Sequence, residues 1–339
     1  MRERTAMISI PNFADKLCAQ VKQKKSILCV GLDPQPRYMP LHLIREAVRL
    51  YGNNSSMAMG QIFWDFNKAI IDAVKDFAVC VKPNLAFYLK YGAPGLNAFE
   101  QTVAYAQENN LLVIGDAKCG DGGDTAEAYA DGFLGETSFF SVAANDVAMM
   151  TPGVSSIRVD CLTVNGWIGE ACLSPFIQRV REFGTGIFVV AKTSFRPPSA
   201  VEELITMSGR PVWQELAGLV GRLGDGTEGA CGLRSVGVVM GATYPEDALV
   251  MGRLLPNSIF LFPGFGGQGA TADDAVVGIR PDGLGGIVNN SRNLIYAWQN
   301  QKGKYMCASE GFANAARLQA IDDREELALA CKRANKWPF

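Results

Sequence analysis

Histidine is nearly absent from this chain of 339 residues: the only one is His42. A Ser-His-Asp hydrolase or a histidine-bound zinc centre would have to rest on that imidazole. It lies in a Leu41-His42-Leu43-Ile44-Arg45-Glu46 stretch of helical spacing and reads as a helix-surface residue. Long apolar runs are missing as well; none reaches ten residues, too few to span a bilayer. Charge of one sign is lacking too. A net charge of −2 advertises neither nucleic acid nor an anionic membrane as a partner. The opening Met1-Arg2-Glu3-Arg4-Thr5 has no apolar segment behind it, so no secretory signal is expected. The closing Lys336-Trp337-Pro338-Phe339 is not a recognised sorting or lipidation box. Nine cysteines form no C-x-x-C pair, and most, such as Cys29, Cys80 and Cys161, sit inside apolar runs. They read as small buried hydrophobes in a reducing, cytoplasmic compartment. What remains for chemistry is lysine, aspartate, arginine and hydroxyl side chains.

The composition, 48% apolar and 19% charged, is that of a globular enzyme with a full core. Short apolar runs alternate with longer amphipathic stretches, the pattern of βα units around a parallel sheet. Strands are expected at 27–32, 78–81, 111–115, 158–164, 187–191, 235–240, 258–262 and 285–288. Helices are expected at 61–76, 95–109, 125–133, 211–223, 245–254 and 271–278, with a closing helix over 312–335. Eight strands alternating with helices favour a (β/α)8 barrel over an open doubly wound sheet. The expected organisation is one domain over residues 1–339, with its core at about 12–335. Loop elaborations are expected at 34–60 and 224–233, the first Pro- and Asn/Ser-rich, the second dense in glycine.

The most informative stretch follows the third apolar run: Asp116-Ala117-Lys118-Cys119-Gly120-Asp121, then Asp124-Thr125 two glycines later. Strand alternation puts Asp116 and Lys118 on one face. Half-burying an acid and a base side by side at a strand end is costly, and points to proton chemistry or charge stabilisation. Cys119 lies inside this motif, but its neighbours give little reason to expect a reactive thiol. In a barrel of this kind function gathers where strands end. Those ends read Gly31-Leu32-Asp33, Lys82-Pro83-Asn84, Asp116 with Lys118, Lys192-Thr193-Ser194, Pro263-Gly264 through Gln268-Gly269, and Asn289-Asn290-Ser291-Arg292. The last two fit a phosphate site: backbone N–H groups of the glycine-rich loop, a Gln268 amide and a bidentate Arg292 contact. Beside it, Lys82, Asp116, Lys118 and Asp121 form a cluster able to hold an ammonium against developing negative charge.

These residues resemble orotidine 5′-phosphate decarboxylases. The resemblance rests on Gly31-Leu32-Asp33-Pro34, Lys82-x-Asn84, Asp116-x-Lys118-x-x-Asp121-x-x-x-Thr125, the 239–243 Val-Met-Gly-Ala-Thr run, Pro263-Gly-x-Gly-x-Gln268-Gly269 and the late Arg292. They occur in family order between residues 31 and 292. The stretch Phe87-Tyr88-x-x-Tyr91-Gly92 and Lys192-Thr193-Ser194 are similar to the longer subgroup. The resemblance implies a cofactor-free and metal-free decarboxylation of orotidine 5′-phosphate to UMP. It implies that Asp33 holds a ribose hydroxyl, Asn84 lines the pocket, and Lys82 with Asp116 forms a charge network beside the substrate carboxylate. Lys118 would protonate C6, Ser194 would read the pyrimidine edge, and Gln268 and Arg292 would grip the phosphate. Asp121 and Thr125 would reach across a homodimer interface into the neighbouring site. Gly122 departs from the pattern, since an isoleucine is usual there; Ser291 stands where glycine is common. Two other readings share parts of these motifs: a metal-dependent sugar-phosphate decarboxylase or aldolase, and a non-catalytic nucleotide-binding barrel.

Overall fold

The computed structural model describes residues 12–143, 148–337 and 339. The N-terminal Met1–Thr5 stretch and Pro338, considered above as targeting signals, lie outside the described residues. In chain order the elements are α1 (Phe13–Lys24), β1 (Leu28–Leu32), α2 (Leu41–Tyr51), α3 (Ser56–Val74), β2 (Cys80–Pro83), α4 (Leu85–Leu89), α5 (Gly92–Glu108) and β3 (Leu112–Cys119). Next come α6 (Gly123–Leu134), β4 (Thr137–Val142), β5 (Ala148–Gly153), β6 (Cys161–Val164), α7 (Glu170–Phe183), β7 (Gly186–Lys192) and α8 (Val212–Leu223). The last are β8 (Arg234–Met240), α9 (Pro245–Leu254), β9 (Ser258–Pro263), α10 (Ala272–Ala275), β10 (Gly286–Asn290), α11 (Arg292–Ile295) and α12 (Phe312–Arg333).

Eight of these strands close a parallel barrel in the order β1-β10-β9-β8-β7-β6-β3-β2. The expected (β/α)8 fold is present, and each of the eight expected strands overlaps one barrel strand. The strands are apolar and buried almost throughout, as parallel strands covered by helices must be. At the N-terminal end α1 covers the barrel, packing Phe13 edge-on against Phe188 at 6.2 Å. Its Asp15 carboxylate accepts the N–H groups of Ala230 and Cys231, which ties down the 224–233 loop. That elaboration is therefore part of the floor of the barrel. The 34–60 elaboration holds a 3-10 turn at Pro36–Tyr38, all of α2, and the start of α3.

Some elements depart from the sequence-based expectation. Helix α3 starts at Ser56, five residues early, because Ser55 caps it by accepting the Ala58 N–H. The helix expected at 271–278 is the short α10, fixed by a Thr271/Asp274 capping box. Strand β6 is only the last part of 158–164. Helix α7 was not anticipated; Pro175 inside it interrupts the helical reading. Nor was the antiparallel ribbon of β4 and β5, which stands apart from the barrel with Phe140, Val142 and Met150 exposed.

Candidate active site

Site-bearing side chains arrive at one rim because the barrel strands are parallel and end together. A cleft of about 240 Å³ opens there, with Lys82, Asn84, Asp116 and Lys118 on one wall. Asp33, Ser194, Gln268, Asn289, Ser291 and Arg292 line the other. Seven of the ten residues expected at the site thus sit in one place on the strand ends, and Gln268 joins them from its glycine-rich loop. The two remaining, Asp121 just before α6 and Thr125 in its first turn, are exposed and outside this chain's own cleft. Asp121 accepts the N–H of Gly122 at 2.7 Å. A larger groove of about 1160 Å³ lies at the opposite end, among Lys24, Lys75, Glu108 and Arg324, where charges of both signs offset one another. The C-terminal rim, not this groove, carries the convergent chemistry.

At the centre is Asp116. It is buried, and its two carboxylate oxygens each meet an ammonium: Lys82 Nζ at 2.6 Å from Oδ2 and Lys118 Nζ at 2.5 Å from Oδ1. Burial pushes the Asp116 carboxyl upward, but Lys82 and then Lys118 overcome this and hold it well below the usual carboxylate range. Lys82 is buried as well. Burial disfavours its charge, and the Asp116 and Asp33 carboxylates outweigh that, raising it above an ordinary lysine. The two groups are charged together. Lys118 differs, because its side chain is half exposed and reaches the cleft.

The backbone of β3 explains how Lys118 gets there. Lys118 has φ of 49°, a left-handed conformation rare outside glycine. Pairing of β3 with β6 runs regularly through Gly115↔Leu162, then resumes only at Cys119↔Val164. Residues 116–118 therefore bulge out of the ladder, opposite Thr163 alone. The hydroxyl of Thr163 donates to Asp116 Oδ1 at 2.9 Å and accepts the Lys118 N–H at 3.0 Å. Simple alternation foresaw the shared face of Asp116 and Lys118, but not the bulge.

On the other wall, Ser291 Oγ donates to Asp33 Oδ2 at 2.6 Å. The second oxygen, Asp33 Oδ1, is buried without a partner among the described residues. Ser194 Oγ donates to Gln268 Oε1 at 2.6 Å, which leaves the Gln268 amide N–H groups free to donate. Gly264 and Gly266 have φ of 113° and 68°, which lets the 263–270 loop fold back over the rim. Arg292 opens α11 at the mouth of the cleft. Asn84 caps α4, accepting the Ala86 N–H.

One expectation needs correction. Lys192 was expected to deliver a polar group to the rim, but it is buried away from it, paired with Glu203 and with Asp247 at 3.5 Å, and 4.5 Å from the Tyr244 ring. The cause is a register shift between Val190 and Lys192 that turns the strand end over. Thr193 and Ser194 line the cleft instead. Cys119 is buried and its thiol is pushed up to about 12 by burial, so it is no nucleophile. Sequence reasoning overlooked Thr163 as a lining residue, although a hydroxyl inside the apolar Cys161–Val164 strand was a signal for it.

Comparison with known proteins gives the chain's family. The model of the Orotidine 5′-phosphate decarboxylase / HUMPS family matches residues 26–297. The orotidine 5′-phosphate decarboxylase of Rhodopirellula baltica is 34% identical over 315 residues, covering 93% of this chain and 98% of the relative. That of Caldicellulosiruptor saccharolyticus is 32% identical over 291 residues, 85% of this chain and 91% of the relative. Among solved structures, the Leishmania donovani UMP synthase is 25% identical with a TM-score of 0.66, covering 93% of this chain and 57% of that one. A Streptomyces avermitilis protein provisionally assigned as the same decarboxylase is 26% identical with a TM-score of 0.71, covering 98% and 100%. With its family motifs gathered at one rim of an eight-stranded barrel, the chain belongs to the orotidine 5′-phosphate decarboxylase family.

Proposed function

We propose that this chain decarboxylates orotidine 5′-phosphate to UMP, the closing step of pyrimidine nucleotide synthesis, without cofactor or metal. Residues 12–335 act as one catalytic domain. The observation that carries the reading is the buried carboxylate of Asp116 held between Lys82 and Lys118, facing a cleft whose far wall offers Gln268 and Arg292.

The chemistry follows from those charges. Arg292, the Gln268 amide and loop N–H groups hold the phosphate, and Asp33 Oδ1 accepts a ribose hydroxyl. Asn84 lines the pocket at the ribose end, and Ser194 meets the pyrimidine edge. This places the substrate carboxylate against Asp116. Breaking the C6–carboxylate bond releases carbon dioxide and leaves the electron pair on C6, in an orbital no π-system delocalises. The Lys118 ammonium, fixed before the reaction, attracts that pair and then gives it a proton; water restores the ammonium. Asp116 repels the substrate carboxylate more than the charge-dispersed transition state, a contribution that works only because Lys82 keeps Asp116 ionised. Phosphate binding, remote from C6, supplies energy that orients the base.

The working unit in this reading is a homodimer. Asp121 and Thr125 point out of their own cleft and complete that of the partner, and Gly122 between them gives their turn more freedom than the usual isoleucine. The enzyme is placed in the cytoplasm, in keeping with nine free thiols. Neither nucleic acid nor a membrane is a partner. An ultraviolet assay following loss of orotidine 5′-phosphate in EDTA-treated buffer, with UMP identified by chromatography, tests the reading. Activity lost to EDTA and restored by a divalent metal would move the chain to the sugar-phosphate enzymes. Tight UMP binding without turnover would make it a binding protein.

A further inference from the structure

We propose that Thr163, on β6, is a positioning residue for this decarboxylation: its hydroxyl sets both the carboxylate of Asp116 and the main chain of Lys118. The inference rests on the functional reading above. Thr163 is 1% exposed and is the only residue of β6 opposite the three-residue bulge 116–118. A bulge of that size removes ladder hydrogen bonds just where the two charged residues sit, and a buried N–H left without a partner is costly. The Thr163 hydroxyl replaces what the ladder lost. Its lone pair takes the Lys118 N–H at 3.0 Å. Its one proton goes to Asp116 Oδ1 at 2.9 Å, the Gly115 carbonyl being farther at 3.5 Å.

The consequence is a closed ring of contacts. Asp116 Oδ1 receives the Thr163 proton and also the Lys118 ammonium at 2.5 Å, while Thr163 holds the Lys118 backbone. Both ends of residue 118, its amide and its Nζ, are thus referenced to one hydroxyl. Left-handed backbone at a non-glycine residue persists only where its surroundings hold it, and Lys118 at φ 49° is such a residue. The β-branch of threonine restricts χ1, so the hydroxyl itself is stiffly mounted. Serine offers the same hydroxyl on a looser stem, and valine offers the shape without the hydroxyl.

The test is steady-state kinetics of Thr163→Val and Thr163→Ser against the unmodified enzyme, with UMP affinity and stoichiometry measured by calorimetry. Thr163→Val should lower kcat by about 10- to 100-fold, the scale of a misplacement near 1 Å at a reacting group. KM and UMP affinity should stay within about threefold, and UMP should still fill one site per chain, because the phosphate and ribose contacts lie on the other wall. Thr163→Ser should recover most of kcat. If valine does not fold, Thr163→Ala is read the same way. A valine enzyme with undiminished kcat, a loss that serine does not repair, or a loss that comes with emptied UMP sites would overturn the positioning role. Absence of turnover in the unmodified protein would instead remove the decarboxylase reading itself.

Discussion

Ser291 Oγ holds Asp33 Oδ2 at 2.6 Å, linking the end of the last barrel strand to the end of the first. The bond leaves Asp33 Oδ1, buried and unpartnered among the described residues, as the oxygen directed at a ligand hydroxyl. Ser291→Ala should therefore loosen ribose recognition. Loss of one neutral-to-charged hydrogen bond is worth about 1.5–3 kcal/mol at most. KM should rise by about 3- to 30-fold, with kcat affected less, as read from initial rates over a range of substrate concentrations. An unchanged KM would mean that Asp33 needs no support.

Lys118→Ala should lower kcat by at least about 10³-fold, since it removes both the proton donor and the cation facing C6. UMP affinity should remain within about an order of magnitude, because UMP carries no carboxylate at C6. Single-turnover assays and calorimetry with UMP measure the two effects. Substantial surviving turnover would assign the proton to another group.

Arg292→Ala should act mainly on KM, raising it by about 10- to 100-fold, the scale of one charge-assisted phosphate contact. Added guanidinium offers a check on the same contact. Partial recovery with guanidinium is the expected result, and an unaltered KM would place the phosphate elsewhere.

Mixing Lys118→Ala protein with Asp121→Ala protein should restore activity if each cleft borrows Asp121 from its partner. Neither parent has a complete site, whereas a mixed dimer has one site with both residues intact. About a quarter of the original activity is the ceiling for random exchange, because half the dimers are mixed and half their sites are whole. Mixed dimers isolated with two affinity tags and lacking any gain would show that Asp121 acts within its own chain, or not at all.

Asp323 on α12 gives a pH prediction. Burial raises its carboxyl to about 7, against hydrogen bonds from Gln319 and Asn290 that lower it, while Glu326 and Asp322 push it further up. In the unfolded chain it titrates at about 3.9. Between those values the folded state keeps a proton that the unfolded state has lost, so stability falls as pH rises from about 4 to 7. Thermal midpoints of the unmodified protein should decline over that window more steeply than those of Asp323→Asn. Parallel curves for the two proteins would show that Asp323 is not titrating there.

Much of this molecule was readable in its residues because barrel strands are short apolar runs with charged ends, and because Asp116, Lys118 and Lys82 are hard to explain by folding. Gln268 and its glycines were legible for a similar reason. What resisted reading lies where a strand departs from regular pairing. At Lys192 a register shift sends the side chain outward, and at 116–118 a bulge brings in Thr163. Alternation rules assume an unbroken ladder, so they fail at such places. Asp323 was invisible for another reason: its partner Asn290 is 33 positions away, and nothing in the closing helix marks one acid among several as buried.

Leu28 on β1 pairs with Val288 on β10, so the barrel's seam joins the two ends of its sequence. During synthesis, Asp33 leaves the ribosome long before Ser291 and Arg292 exist. A nascent chain can build most of the wall but cannot shut it, and substrate recognition must be among the last properties acquired. Ligand added during translation would find nothing to hold until the final strand is inserted.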